Sequence, residues 1–190
     1  MTRQRGRRAA EPPGNGSAAQ DRDPEPESVA RTIALRLLTG APRSRHQVAD
    51  AMARRNVDPQ VAQRVLDRFC EVGLIDDADY ARMLVRSQRE SRGLARRALA
   101  AELRRRGIGD EDAAAALDQV DPDDEVATAR ELLRRRWRDD VEVTVAARRA
   151  VSMLARKGYS PGLSRRLVAE MVDDRGGRAR GADREVDDRR

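Results

Sequence analysis

A hydroxyl or thiol becomes a nucleophile only when a neighbouring base removes its proton. Ser91, Ser152 and Cys70 are candidate nucleophiles in this 190-residue chain, and His46 is its one imidazole. No spacing joins His46 to any of them. It sits near the start of a predicted helix, where a solvated or capping role suffices. Cys70 follows Phe69 near the end of an amphipathic helix, which suits a buried, unreactive thiol. A single cysteine and a single histidine exclude an internal disulfide and a Cys/His zinc site within one chain. Acid pairs occur at Asp76 with Asp77, Asp123 with Asp124 and Asp139 with Asp140. Each lies where a helix starts or stops, and carboxylates near helix N-termini are favourable without a metal. The stretch "DDRGGRARG" lacks the GK[ST] ending of a phosphate-binding loop. The residue types predict no catalytic centre, no cofactor and no metal.

What remains is charge. Residues 78–107 hold nine arginines and three acids, a surplus of +6 that equals the net charge of the whole chain. Residues 108–122 follow with five acids and no base. This polarity makes Arg82, Arg86, Arg89, Arg92, Arg96, Arg97, Arg104 and Arg105 candidate contacts for a polyanion or an acidic partner surface. On a helix over 95–106 with Leu99 facing the core, Arg97 and Arg104 lie roughly 140–160° away, fully outward. Arg106 returns to the core edge, where it snorkels or caps. An ordinary solvated face in an arginine-rich protein is the competing explanation.

The elements that carry these residues repeat. "VADAMARRNVDP" from Val48, "LAAELRRRGIGD" from Leu99 and "AVSMLARKGYSP" from Ala150 align at an offset of about 51 residues. Each block reads as a helix stop. Asn56, Gly107 or Gly158 takes the left-handed conformation, and Val57, Ile108 or Tyr159 packs back on Met52, Leu103 or Leu154. The cations before each stop complement the negative helix end. Apolar positions follow helical spacing throughout, and "DVEVTV" is too short to establish a strand.

The fold class is therefore all-α: an elongated tandem array of three three-helix repeats with disordered tails. The boundaries are residues 1–27 (tail), 28–76 (repeat 1), 77–122 (repeat 2, basic), 123–172 (repeat 3) and 173–190 (tail). Ser28 can cap the first helix, and the last helix is predicted to end at Val172. The tails are rich in charge, Gly or Pro and nearly neutral, with too little apolar surface to offset ordering entropy. No apolar h-region follows the basic N-terminus, and no apolar run reaches the roughly 20 residues of a membrane span. A soluble, cytoplasmic, monomeric protein is expected.

Four stretches, "SRHQVADAMARRNVD", "VLDRFCEVGLIDDADYARMLV", "SRGLARRALAAELRRRGI" and "ARRAVSMLARKGYSPGLSRRLV", resemble the RecX family of regulators of the RecA recombinase. The resemblance covers about residues 28–172. Its most specific part is Leu66, Phe69, Gly73, Leu74, Ile75, Asp76, Asp77, Tyr80 and Ala81. Asn56 stands where glycine is usual, Tyr159 where phenylalanine is common, and the polar tails are long. The resemblance implies no catalytic activity, and binding to RecA as monomer or as filament on single-stranded DNA. It further implies limits on filament growth, ATPase, strand exchange and co-protease activity. Two other functions stay open: a basic helical module that binds nucleic acid directly, and a scaffold for another partner. With only four aromatic side chains, base-stacking platforms are scarce, so direct DNA binding is expected to be weak and salt-dependent.

Overall fold

In a computed structural model the protein is described over residues 25–187, with side chains through residue 176. The prediction for residues 1–24 lies outside the described residues. Among the described residues there are nine helices and no strand. They are α1 Pro26–Gly40, α2 Arg45–Ala53, α3 Pro59–Glu71, α4 Asp77–Arg92, α5 Arg96–Arg105, α6 Asp110–Asp118, α7 Pro122–Arg136, α8 Val143–Arg156 and α9 Pro161–Asp187.

The helices group in threes because each triplet closes its own apolar core. Val48, Met52, Leu66 and Phe69 anchor the first, Leu84, Leu99, Leu103 and Leu117 the second, and Leu133, Leu154, Tyr159 and Leu167 the third. All extensive helix–helix packing falls within a triplet. The three repeated stops end in left-handed residues, with φ of 56° at Asn56, 72° at Gly107 and 91° at Gly158. The next amide in each case reaches back five residues to a carbonyl in the last helical turn: Val57 to Met52 (3.2 Å), Ile108 to Leu103 (3.1 Å) and Tyr159 to Leu154 (3.2 Å). These are Schellman closures.

Between triplets, contact narrows to helix ends. The N-terminus of α2 sits on the C-terminus of α5, and the N-terminus of α5 sits on that of α8. At the first junction Ser44 Oγ donates to the Arg106 carbonyl (2.5 Å). At the second the Ala95 amide donates to the Lys157 carbonyl (2.9 Å). A carboxylate from the next triplet's first turn accepts each adjoining amide: Asp77 from Arg45 (2.8 Å) and Glu125 from Arg96 (2.9 Å). Stacking the positive end of one helix on the negative end of the next aligns their dipoles and satisfies amides and carbonyls that helix ends leave unpaired.

This stacking explains the one non-glycine stop. A Cβ on Gly107 would lie 2.2 Å from His46 Cγ, and one on Gly158 would lie 2.6 Å from the Ala98 amide nitrogen. Asn56 closes α2 of the first triplet, and among the described residues no preceding triplet docks on it, so a side chain is tolerated there. Terminal units of a stacked array escape the constraints of internal ones.

Three sequence expectations change. The cap of α1 is Glu25, with Pro26 in the first turn, not Ser28; proline's fixed φ suits that turn and its missing amide costs nothing there. Cys70 is exposed, with its Sγ accepting from Arg45 Nη1 at 3.4 Å, because it lies about 100° round α3 from buried Phe69. Helix α9 runs past Val172 to Asp187. Arg175 helps to fix this extension, with its guanidinium 5.5 Å from the Trp137 ring centroid and bonded to Asp139 (2.5 Å).

Candidate polyanion-binding groove

The sequence-selected arginines separate into three groups. Arg92, Arg97, Arg104 and Arg105 line one groove at the α5–α8 junction, together with Arg156 of the third triplet. The groove encloses about 450 Å³ and its floor includes Leu94, Ala98, Ala101 and Gly158. Arg89 and Arg92 line a second depression of about 510 Å³ with Arg135, Arg136 and Lys157. Arg92 belongs to both, so the two form one basic surface across the second and third triplets. Arg82 and Arg86 lie on exposed turns of α4 outside both depressions, and Arg82 pairs with Asp79 (3.3 Å).

Arg96 faces elsewhere. Its guanidinium bonds the Leu117 carbonyl (2.5 Å) and Asp118 (2.8 Å), tying α5 to the end of α6. Arg45 holds Asp67 (2.6 Å) in the same way one repeat earlier. Arg96 is thus a within-triplet clamp. Arg106 also serves structure: it donates to Glu102 (2.9 Å) and to the Tyr80 hydroxyl (3.2 Å). The sequence placed it at this core edge.

Glu102 is the buried acid among these cations, bonded by both Arg105 and Arg106. Burial alone would raise its pKa. The hydrogen bonds from the two arginines outweigh that and hold it below the usual range. A depressed carboxylate contributes stability above its unfolded pKa and loses it as pH falls through the folded value. Glu102→Gln is therefore expected to cost about 1–2 kcal/mol at neutral pH. The gap to wild type should close as pH drops below the ordinary glutamate value of 4.5. Urea denaturation across that range measures it; a gap that is constant with pH would contradict the assignment.

The groove keeps most of its charge unneutralised, with Arg105 alone of its arginines in an ion pair among the described residues. Arg97, Arg104 and Arg156 are exposed and have no ion-pair partner among the described residues. Lys157 is pushed below the usual lysine range by burial and then by Arg136 and Arg92, while its ammonium bonds the Arg92 carbonyl. Tyr159 anchors the floor. Its hydroxyl donates to the Gly93 carbonyl (3.1 Å), and burial pushes its pKa up to about 12. Such a surface can receive phosphates or carboxylates, but it has no nucleophile and base within reach of each other. Arg135, Arg136, Arg156 and Lys157 lie beyond the segment charges, which end at residue 122. The repeat alignment already held the signal for two of them, since Arg156 and Lys157 occupy the positions of Arg105 and Arg106.

Two family models match the chain: the first three-helix domain of RecX over residues 30–69 and the second over 76–117. The chain is 49% identical to the Regulatory protein RecX of Thermobifida fusca, over 87% of this chain and 88% of the relative. It is 39% identical to that of Mycolicibacterium smegmatis, over 92% and 97%. The crystal structure of RecX from Lactobacillus salivarius superposes with a TM-score of 0.66 at 20% identity, covering 76% of this chain and 96% of that one.

Proposed function

The chain belongs to the RecX family of regulatory proteins, and we propose on that premise that it binds RecA, as monomer or as filament on single-stranded DNA, and restrains it. It acts as a cytoplasmic monomer without catalytic chemistry of its own. It limits ATPase, strand exchange and co-protease activity, and so modulates recombination, repair and the SOS response. The observation that carries this reading, beside the family, is the arginine surface across the second and third triplets, where Arg97, Arg104, Arg136 and Arg156 have no ion-pair partner among the described residues. A stacked array presents that surface as a continuous strip, which suits the groove of a nucleoprotein filament. The test is RecA's DNA-dependent ATPase titrated with the purified chain. Inhibition at substoichiometric amounts supports the reading, and no effect over a full titration overturns it.

The same strip favours a second reading, direct nucleic-acid binding. Phe69, Tyr80 and Tyr159 are buried, so a base finds little to stack on and the contact is electrostatic. Affinity for DNA alone should be weak, with log K falling by roughly 0.7 per phosphate neutralised on single strands for each decade of salt. Fluorescence anisotropy of a labelled oligonucleotide at several salt concentrations checks this. Tight binding that survives moderate salt without RecA would make nucleic acid the primary partner.

A further inference from the structure

A further cavity of about 280 Å³ opens between α7 and α8 of the third triplet, sharing Arg136 and Arg156 with the basic surface. Leu133, Ala146, Ala150 and Met153 give it apolar walls, and the half-buried Trp137 lines it. Arginines stand around it: Arg136, Arg138, Arg149 and Arg156. Arg138 is held by Asp140, but Arg136, Arg149 and Arg156 have no ion-pair partner among the described residues.

The repeat shows what this rim lacks. At the 51-residue offset, Met153 occupies the place of Glu102, and Arg156 and Lys157 occupy those of Arg105 and Arg106. In the second triplet Glu102 neutralises both arginines from within. In the third, a methionine has replaced the carboxylate, and the cation beside it is left open above an apolar floor. Methionine adapts its shape to varied apolar guests.

We propose that this pocket docks an acidic peptide segment carrying one large apolar side chain. The apolar side chain fills the space beside Met153 and Trp137, and flanking carboxylates take the place that Glu102 holds in the second triplet. A phosphodiester backbone would satisfy the arginines but leave the apolar walls uncovered. This inference does not depend on RecA as partner, because it rests on the third triplet's own side chains.

Trp137 is the chain's one tryptophan, so its emission reports on the pocket directly. The full chain is titrated with a synthetic peptide, EEDLEDE, with its alanine counterpart EEDAEDE, and with an oligothymidylate of similar charge. The leucine peptide should shift Trp137 emission saturably, and the alanine peptide should bind at least about tenfold more weakly. Met153→Glu restores the internal carboxylate and should weaken the leucine peptide at least about tenfold while helix content stays unchanged. Arg149→Glu, on the exposed rim, should weaken it in the same direction, and serves if the first variant fails to fold. Three results would overturn the proposal: no saturable response to the leucine peptide, equal binding of the two peptides, or an equal or tighter emission response to the oligothymidylate.

Discussion

Gly158→Ala is expected to be the most destabilising single substitution outside the apolar cores, at about 3–5 kcal/mol. Two costs combine. The residue holds φ of 91°, which an L side chain adopts only with strain, and the new Cβ meets the backbone of Ala98, which cannot rotate aside. The helix end carrying Gly158 must then back away from α5, loosening the bond from the Ala95 amide to the Lys157 carbonyl and the seat of Tyr159. Gly107→Ala should cost somewhat less, about 2–4 kcal/mol, because the imidazole of His46 can move aside, although His46 Cβ, 2.3 Å away, is fixed on α2. His46→Gly in that background should recover more of the loss than His46→Ala, which keeps the Cβ that clashes. Asn56→Gly should stay within about 1 kcal/mol of wild type, since no neighbouring triplet docks there among the described residues. Urea denaturation of the full chain ranks the three. A Gly158→Ala protein as stable as wild type would remove the stacked junction from the account.

Reversing Arg97, Arg104 and Arg156 together to glutamate should raise the amount of chain needed to halve RecA's ATPase by about a hundredfold or more. These three are the exposed, unneutralised cations of the junction groove, and reversal turns each attraction into repulsion. Helix content should hold and melting temperature should fall by only a few degrees, since none of the three has an ion-pair partner to lose among the described residues and only Arg104 and Arg156 give up a favourable place in a last helical turn. The control is Arg82→Glu with Arg86→Glu, two reversals of the same kind outside the groove, expected to shift inhibition by about twofold or less and compared also with Arg97→Glu plus Arg104→Glu, which carries the same change of charge. Equal losses in the two double variants would mean that net charge, not this groove, sets the interaction.

Local chemistry was legible in the sequence and distant pairing was not. Met52, Leu103 and Leu154 announced their helix stops because the residues that close each stop lie within six positions. Arg106 was placed at the core edge from helical angles alone, and its bonds to Glu102 and Tyr80 agree. Arg96 looked like its neighbour Arg97, because its partners Leu117 and Asp118 stand a helix away. The contributions of Arg156 and Lys157 to the groove depend on α8 stacking against α5, which segment charge cannot reveal. Cys70 was misplaced by one step of the helix, enough to turn it from core to solvent. Asn56 looked like a neutral departure from glycine. The stacked junctions give it a cause, since only internal stops carry a neighbour on their Cα.

The central claim is that this chain restrains RecA through the arginine strip of its second and third triplets. The measurement that meets it most directly is the steady-state ATPase of RecA on single-stranded DNA, with wild-type chain added from far below to above equimolar. The account predicts inhibition at substoichiometric amounts and its loss in the Arg97, Arg104 and Arg156 triple variant. An ATPase rate indifferent to the wild-type chain across the whole titration would contradict it.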